Sequence, residues 1–549
     1  MTDTLGRNRG RSLAFFLSLL LSPAILSLGQ AKPSPTTPPP PVSTDRTPNQ
    51  AEAAQAGIRA DLERFRARVE ATLAQPGADK GYWGVLVVAA QTGEVLYALN
   101  AQRYFTPASN TKLFSTALAM AVLGPDYRFR TTIETHGTLD RSGRLRGDLV
   151  LAGRGDPNLS NRKLPMGKEV ERDGPPEKVL AEFADRVAAR GVKQIEGDVV
   201  ADDSYFAYER FPSGWDIDDM LWGYGAAISA VAVNDNTMAI ELRSGEREGA
   251  RASFHVEPRN DFYKIQDEVA TGPRGSERKL EVSREPGSRV IHVGGTMPLN
   301  GEPHTLTLAV EEPAEYAAQL LKRLLEARGV RVSGEARARH SSRTGSSKTP
   351  EPTADPPVVL AERTALPLLE DVRVVNKISQ NLHAELLLRV AAREKAGTSD
   401  TEAALKFAQQ YFQGIGIDEG EVVLFDGSGL SRRNLVTPRA VVQLLTYIAQ
   451  QPWAQGFRST LPIAGEDGTL SDRMKDTPAA GRVWAKTGSL GHVNSLSGYA
   501  TTLGGAQVIF SMFGNNHTLG GKEATGVLDA ITAAMIEEIG VRPEEKNNP

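Results

Sequence analysis

The sequence predicts a mixed α/β (α+β) protein, with an antiparallel sheet flanked by helices and interrupted by a large strand-rich insertion. Three observations predict it. Short strand-like runs and one apolar helix lie between Val85 and Leu123. From about residue 129 to 345 the pattern becomes many short strands and turns, with few long helices. After Val358 helical patterns return, and the chain closes with a hairpin and a last helix. Two outer thirds of one character around a middle of another imply one domain interrupted by another.

The elements follow in order. Arg7, Arg9 and Arg11 precede an apolar run from Leu13 to Leu21 that continues through Ile25, Leu26 and Leu28, and Gly29-Gln30-Ala31 offers small residues for cleavage. This is the layout of a secretory signal over residues 1–31. Leu13 to Leu28 contains Pro23 and falls short of the ~20 residues a membrane span needs, so no stable span is expected after cleavage. Residues 32–50 are a Pro/Thr-rich tether. Ile58, Leu62, Phe65 and Val69 give Ala51–Leu73 a helical period. Val85–Ala90 and Val95–Leu99 read as strands around a Gln91–Glu94 turn, and a helix runs from Leu113 to Leu123, before Gly124-Pro125.

Inside the insertion one pattern recurs. A helix ending at Arg190-Gly191-Val192 leads into Gly197-Asp198-Val199-Val200, and another ending at Arg328-Gly329-Val330 leads into Gly334-Glu335-Ala336. Glycine after each helix is the expected left-handed stop. Two related αβ units therefore frame an inserted domain of residues 129–230 and 311–345, with a nested β-rich domain at 231–310. Residues 339–357 read as a polar loop, and from Val358 the chain reads as helical. Thr401–Phe412 and Pro438–Gln450 are amphipathic helices. Ser495–Thr502 and Ala506–Phe513 form a hairpin around Gly504-Gly505, and Val527, Leu528, Ile531, Met535 and Ile539 mark the final helix. The outer domain comprises residues 51–128 and 358–545.

Composition narrows the chemistry. With 40% apolar and 24% charged residues the chain is ordinary for a globular protein, and a net charge of −4 offers no cationic excess for nucleic acid. Cysteine is absent, which excludes disulfides, thiolate metal sites and cysteine nucleophiles. There are 8 His, without a His-Glu-x-x-His string, and no Gly-x-Ser-x-Gly elbow. No metal or cofactor is expected, and the chemistry must come from Ser, Lys, Asp, Glu or Asn.

Three short strings fit that requirement. Ser109-Asn110-Thr111-Lys112 opens a helix, and three residues is nearly one turn, so Ser109 and Lys112 share a face. A serine hydroxyl becomes a useful nucleophile once a base takes its proton, and a lysine of lowered pKa can do so. The second Ser-x-x-Lys string, Ser160-Asn161-Arg162-Lys163, lies in a polar loop with no apolar helix behind it and is set aside. Ser379-Gln380-Asn381 offers a hydroxyl for proton relay and an amide for a substrate carbonyl, although alone it also reads as a polar helix-end turn. Lys486-Thr487-Gly488, on an edge-strand-like run, joins a cation and a hydroxyl to a glycine that lets a ligand approach the backbone.

In this order the strings resemble the Ser-x-x-Lys, Ser-x-Asn and Lys-Thr-Gly motifs of the penicillin-recognising serine enzymes. The long gap between Ser109 and Ser379 is similar to the low-molecular-mass class C penicillin-binding proteins, the D-alanyl-D-alanine carboxypeptidase/endopeptidase family. Gly153–Leu159, Asp202–Phe206, Asp426–Arg432, Leu461–Gly465 and Asp467–Leu470 look like stretches of that family too. Gln380 stands where Asp is common. The resemblance implies a β-lactamase/transpeptidase-like fold and an exported, periplasmic or otherwise extracytoplasmic DD-peptidase, acting on peptidoglycan peptides and acylated by β-lactams. It implies Ser109 as nucleophile, Lys112 as base, Ser379 and Asn381 as relay and substrate holder, and Lys486 and Thr487 as carboxylate site beside Gly488. The N–H groups of Ser109 and Ser489 would form the oxyanion hole. A β-lactamase, an esterase on the same scaffold and a non-catalytic wall-binding protein are the alternatives. The first would need efficient deacylation, and residues 381–486 hold no Glu-x-x-Leu-Asn element; the last would need degraded motifs.

Other features receive plainer readings. Asp216, Asp218 and Asp219 read as a solvated acidic loop, Arg154-Gly155-Asp156 as a tight turn, and His383 with Glu385 as a helix-surface pair. For Lys112, burial and the like charge of Lys486 are the two expected causes of a lowered pKa.

Overall fold

A five-stranded antiparallel sheet carries the site. In spatial order its strands are Val95–Leu99, Tyr82–Ala89, Gln507–Asn515, Val493–Thr501 and Val483–Leu490, so two early strands and three late ones join side by side in one sheet. The computed structural model describes residues 59–164, 166–167, 171–341 and 356–540. The expected signal, the tether, the start of the first helix and most of the 339–357 loop lie outside the described residues.

The period-two alternation of the strands sorts side chains to two cores. Val85, Val87, Phe510 and Met512 face helices Ala60–Leu73 and Gly521–Glu538, where Phe65, Val69, Leu528 and Ile531 close over them. Leu86, Val88, Ile509 and Phe513 face the other way, toward helices Thr111–Leu123, Leu368–Lys377, Asn381–Ala396 and Pro438–Ala449. Helix Thr111–Leu123 is buried on nearly every side, which its run Leu113-Phe114-Ser115-Thr116-Ala117-Leu118-Ala119-Met120 permits. The expected hairpin is present, with longer arms, and Gly505 takes the left-handed conformation at its tip.

The middle of the chain adds a five-stranded and a four-stranded sheet. The first runs Ala336–Ser341, Val199–Ala207, Leu149–Ala152, Arg130–Thr135 and Val358–Thr364, and the second Arg331–Val332, Gln194–Ile195, Arg144–Arg146 and Thr138–Leu139. Two corrections to the sequence reading follow. Val358–Thr364 is a strand paired antiparallel with Arg130–Thr135, and helix begins only at Leu368. Residues 339–341 belong to a strand, so the expected polar loop starts later. Two small three-stranded sheets account for most of residues 237–309.

The chain passes from the four-stranded to the five-stranded sheet three times, at Gly147-Asp148, Gly197-Asp198 and Gly334-Glu335, and these passages stack. Asp148 Oδ1 accepts the N–H of Asp198 at 2.9 Å, and Asp198 Oδ1 accepts the N–H of Glu335 at 2.9 Å. Arg337 bridges both carboxylates, at 2.6 Å from Asp198 and 2.8 Å from Asp148. The sequence pattern revealed the last two crossings; the first is entered from a hairpin rather than a helix. Glycine is forced by the stacking. A Cβ on Gly197 would lie 2.5 Å from the carbonyl carbon of Gly147 and 2.6 Å from Asp148 Oδ1.

Gly197→Ala is therefore expected to destabilise the fold by about 2–3 kcal/mol, the scale of a steric fault with no flexible neighbour to yield. Gly191→Ala, at φ +87 with open space around it, should cost only about 1 kcal/mol. Thermal unfolding of the two variants checks the order, and equal losses would remove the stacking argument.

Candidate active site

Ser109 sits in a short 3-10 turn, Ala108–Asn110, that leads directly into helix Thr111–Leu123. Its approach is pinned to the sheet. Asn515 Oδ1 accepts the Thr106 N–H at 2.8 Å, and Ser495 Oγ donates to the Pro107 carbonyl at 2.8 Å. Ala108 adopts φ +48, a left-handed conformation that costs a non-glycine residue about 1 kcal/mol and here turns Ser109 into the cleft. Two glycines admit this turn. A Cβ on Gly429 would fall 1.8 Å from the Ala108 carbonyl oxygen, and one on Gly488 would fall 3.0 Å from the Ser109 nitrogen.

One helical turn on, the Lys112 amine is completely buried. Nζ lies 2.8 Å from Ser109 Oγ, 2.6 Å from Asn381 Oδ1 and 2.5 Å from the Ser428 carbonyl oxygen. Two of these partners, the amide and the backbone carbonyl, can only accept. A neutral amine has two N–H groups, and those two oxygens take both. Its lone pair is then left facing the Ser109 hydroxyl, the arrangement a base needs to receive that proton.

Burial pulls Lys112 down from the ordinary lysine range to about 7, while Asp426 and Glu385 oppose the drop. Burial, the first of the two causes expected from the sequence, dominates, and the repulsion between Lys112 and Lys486 is mutual. The like-charge effect appears on Lys486, which burial and then the Lys112 charge push well below its usual value. Desolvation of a fully enclosed ammonium outweighs the repulsion at Lys112.

Asn381 begins helix Asn381–Ala396, capped by Gln380, whose side-chain oxygen accepts the Leu382 N–H at 3.0 Å. Asn381 Nδ2 donates to the Tyr224 carbonyl at 2.8 Å, which fixes its oxygen on Lys112. Ser379 stands just before the cap at φ +61, and its Oγ accepts from Lys486 Nζ at 3.0 Å. Lys486 also donates to the Thr487 carbonyl at 2.9 Å, and the hydroxyls of Thr487 and Thr469 are 2.8 Å apart. Lys486-Thr487-Gly488-Ser489 lies on edge strand Val483–Leu490, with Ser489 exposed. All three strings thus converge: Ser109, Lys112 and Asn381 form one set of contacts and Ser379 with Lys486 another, joined through the Ser379-Gln380-Asn381 backbone, with Thr487 and Gly488 following Lys486 on its strand.

Sequence reasoning missed the layer behind. Asp426 accepts the N–H groups of Gly429 and Ser431, the Ser428 hydroxyl, Asn434 Nδ2 and Trp215 Nε1. Glu385 Oε1 accepts the N–H groups of Gly427 and Ser428, each at 2.8 Å. Together they shape the loop that presents the Ser428 carbonyl to Lys112. The Asp426–Arg432 stretch had drawn notice only as a resemblance. Glu385 lies one turn from Asn381, and that spacing was its signal.

His383 and Glu385 are not a helix-surface pair. Both are fully buried, His383 against Asp235 at 2.9 Å, because helix Asn381–Ala396 is covered on nearly all sides. Burial raises Glu385 to about 7. Ser160 is also buried, bonded to Asp235, whereas Lys163 is exposed and paired with Glu171, so no amine meets that serine. Asp156 of the Arg-Gly-Asp string is buried in a strand and paired with Arg363. Asp216 pairs with Arg432, and the described residues contain no group of three or more side chains suited to a metal.

Residues 65–535 match the D-Ala-D-Ala carboxypeptidase 3 (S13) family. The chain belongs to this family. It is 36% identical to the D-alanyl-D-alanine carboxypeptidase of Actinomadura sp. (strain R39), over 88% of this chain and 87% of that protein. It is 28% identical to D-alanyl-D-alanine carboxypeptidase DacB of Haemophilus influenzae, over 78% of this chain and 85% of the relative. The crystal structure of penicillin binding protein 4 (dacB) from Haemophilus influenzae superposes with a TM-score of 0.73 at 25% identity, covering 86% of this chain and 99% of that one.

The electrostatic arrangement is directly testable. Glu385→Gln removes a buried anion that holds Lys112 up, so the Lys112 titration midpoint should move below its value near 7. Carbon NMR of lysine-labelled protein reads that midpoint; an unchanged or raised value would contradict the assignment.

Proposed function

We propose that the chain is an exported serine-type D-Ala-D-Ala carboxypeptidase/endopeptidase that acts on peptidoglycan stem peptides and cross-links and is acylated by β-lactams. The reading rests above all on Lys112, whose two acceptor-only partners direct its lone pair at Ser109 Oγ. Ser109 gives its proton to Lys112, and its oxygen attacks the carbonyl between the two terminal D-Ala residues. The N–H groups of Ser109 and Ser489 receive the developing oxyanion. As the C–N bond breaks, the proton that Lys112 took from Ser109 passes through the Ser379 hydroxyl to the leaving amine, which returns Lys112 to its neutral form. Lys486 and Thr487 hold the terminal carboxylate, Gly488 lets it approach, and Asn381 keeps Lys112 aligned. Water then attacks the ester, Lys112 again serves as base, and Ser109 regains its proton.

Family membership and the Arg7–Ala31 pattern support export to the periplasm or another extracytoplasmic envelope compartment, and no helix among the described residues is long and apolar enough to cross a membrane. In the same proposal residues 51–128 and 358–545 form the catalytic domain. Residues 129–230 and 311–345 form the inserted domain, and 231–310 the nested one.

Fluorescent penicillin should label the peptide that contains Ser109 and leave Ser160 untouched, and Ser109→Ala should abolish labelling in a folded protein. An adduct that survives in that variant sinks the nucleophile assignment. Lys112→Arg should slow acylation roughly 10²-fold or more, because guanidinium stays protonated and cannot act as base. In the wild type the acylation rate should fall as pH drops through about 7, where Lys112 becomes ammonium and loses its lone pair. An acylation rate within a few-fold of wild type for Lys112→Arg would reduce Lys112 to an electrostatic support.

A further inference from the structure

Residues 461–470 take no part in the steps proposed for catalysis, yet they tie the second motif to the third. On one side they grip Lys377, the last residue of helix Leu368–Lys377 and two positions before Ser379. Lys377 Nζ donates to the Leu461 carbonyl at 2.6 Å and to the two carboxylate oxygens of Asp467 at 2.7 and 2.5 Å. Asp467 Oδ1 also accepts the Ile463 N–H at 2.8 Å, which curls the segment around the amine. Gly468 then packs on the backbone of Lys377. A Cβ there, at φ +58, would lie 2.6 Å from the Lys377 carbonyl oxygen. On the other side the segment holds strand Val483–Leu490. The Ala464 N–H donates to the Val483 carbonyl at 3.0 Å, and the Ala485 N–H, just before Lys486, donates to the Pro462 carbonyl at 3.0 Å.

Ser379 needs support of this kind. Its φ of +61 is unfavourable for a residue with a Cβ, and such a conformation persists only where the surroundings over-determine it. The Gln380 cap holds the turn from the helix that follows, and the grip on Lys377 holds it from the helix that precedes. Lys377 is buried and Asp467 partly so, which leaves their ion pair little screened by salt. Ser109, Lys112 and Asn381 make their own contacts without this segment. Loosening the grip therefore reaches the Ser379 hydroxyl before it reaches the nucleophile and its base.

We propose that Asp467 is a positioning residue for proton delivery: by holding Lys377 it keeps Ser379 Oγ against Lys486 Nζ, where the hydroxyl can pass its proton to the leaving amine. The proposal rests on the DD-peptidase reading, in which Ser379 relays that proton, and adds the device that sets the geometry of the relay. Its consequence is selective. Acylation by a substrate whose leaving group requires a proton depends on Asp467, and acylation by one whose leaving group departs as a stable anion does not depend on it in the same way.

Two substrates with one acyl chain test it: an N-acylated peptide ending in D-Ala-D-Ala, and its thioester analogue with thiolactate in place of the last D-Ala. Both give the same acyl-enzyme, so deacylation is common to them and kcat/KM reports acylation. An amine needs a proton to leave, whereas a thiolate, from a thiol of pKa about 8.5, leaves without one. Asp467→Asn should lower kcat/KM for the peptide roughly tenfold more than for the thioester. The double variant Lys377→Met/Asp467→Asn removes both charges together, leaves neither unpaired, and should show the same selectivity if the single variant is too unstable to assay. In a Ser379→Ala background Asp467→Asn should add no further selectivity, because the group through which it acts is gone. Equal losses on the two substrates overturn the proposal, as does a selective loss of full size in the absence of the Ser379 hydroxyl. A Ser379→Ala protein that itself shows no selective loss removes the relay and the proposal with it. A wild type that neither acylates with penicillin nor cleaves either substrate sinks the DD-peptidase reading itself.

Discussion

Two completely buried amines, Lys112 and Lys486, meet in one cleft, and neither has a carboxylate in hydrogen-bond contact among the described residues. Taking an ammonium out of water without a counter-ion is costly, and a lysine so placed gives up its proton more readily. The compensation comes from neutral oxygens: a serine hydroxyl, an amide and a carbonyl at Lys112, and a hydroxyl and a carbonyl at Lys486. Much of the local architecture places those oxygens. Helix Asn381–Ala396 brings in the amide, the Asp426–Asn434 loop brings in the carbonyl, and the edge strand carries the second amine. The carboxylates of Asp426 and Glu385 stand one layer back. There they moderate the fall of Lys112 without forming the direct ion pair that would keep it protonated.

The middle of the chain takes part in this balance. Trp215 donates to Asp426, the Tyr224 carbonyl fixes Asn381, and Asp235 meets His383 on the helix that carries Asn381 and Glu385. Residues far from the motifs in sequence thus anchor both acceptors of Lys112. A substitution at Trp215 acts on the amine through the loop, and a displacement of the Tyr224 backbone acts through the amide, so separating that stretch from the rest would disturb the chemistry as well as the fold.

The sheet and its helices were legible because their patterns are local: short apolar runs at Val85–Val88 and Ile509–Phe513, and the helical period of Ala60–Leu73 and Gly521–Glu538. The three motifs were legible as strings in order. What sequence could not convey depends on distant partners. Val358–Thr364 is a short apolar run, and its strand identity comes from pairing with Arg130–Thr135. Glu385 looked like surface because a charged residue on a helix usually is, yet it answers two backbone N–H groups of a loop some forty residues away. The first stacked crossing, at Gly147, lacked the helix that marked the other two. Burial was legible as one cause of the Lys112 shift, whereas the complete enclosure that makes it the dominant one requires the packed structure.

The central claim is the proton inventory at Lys112, and neutron diffraction of crystals grown above pH 8 in deuterated buffer observes it directly. The account predicts two deuterons on Nζ, aimed at Asn381 Oδ1 and the Ser428 carbonyl, and the Ser109 deuteron aimed at Nζ. Three deuterons on Nζ, one of them donated to Ser109, would contradict it.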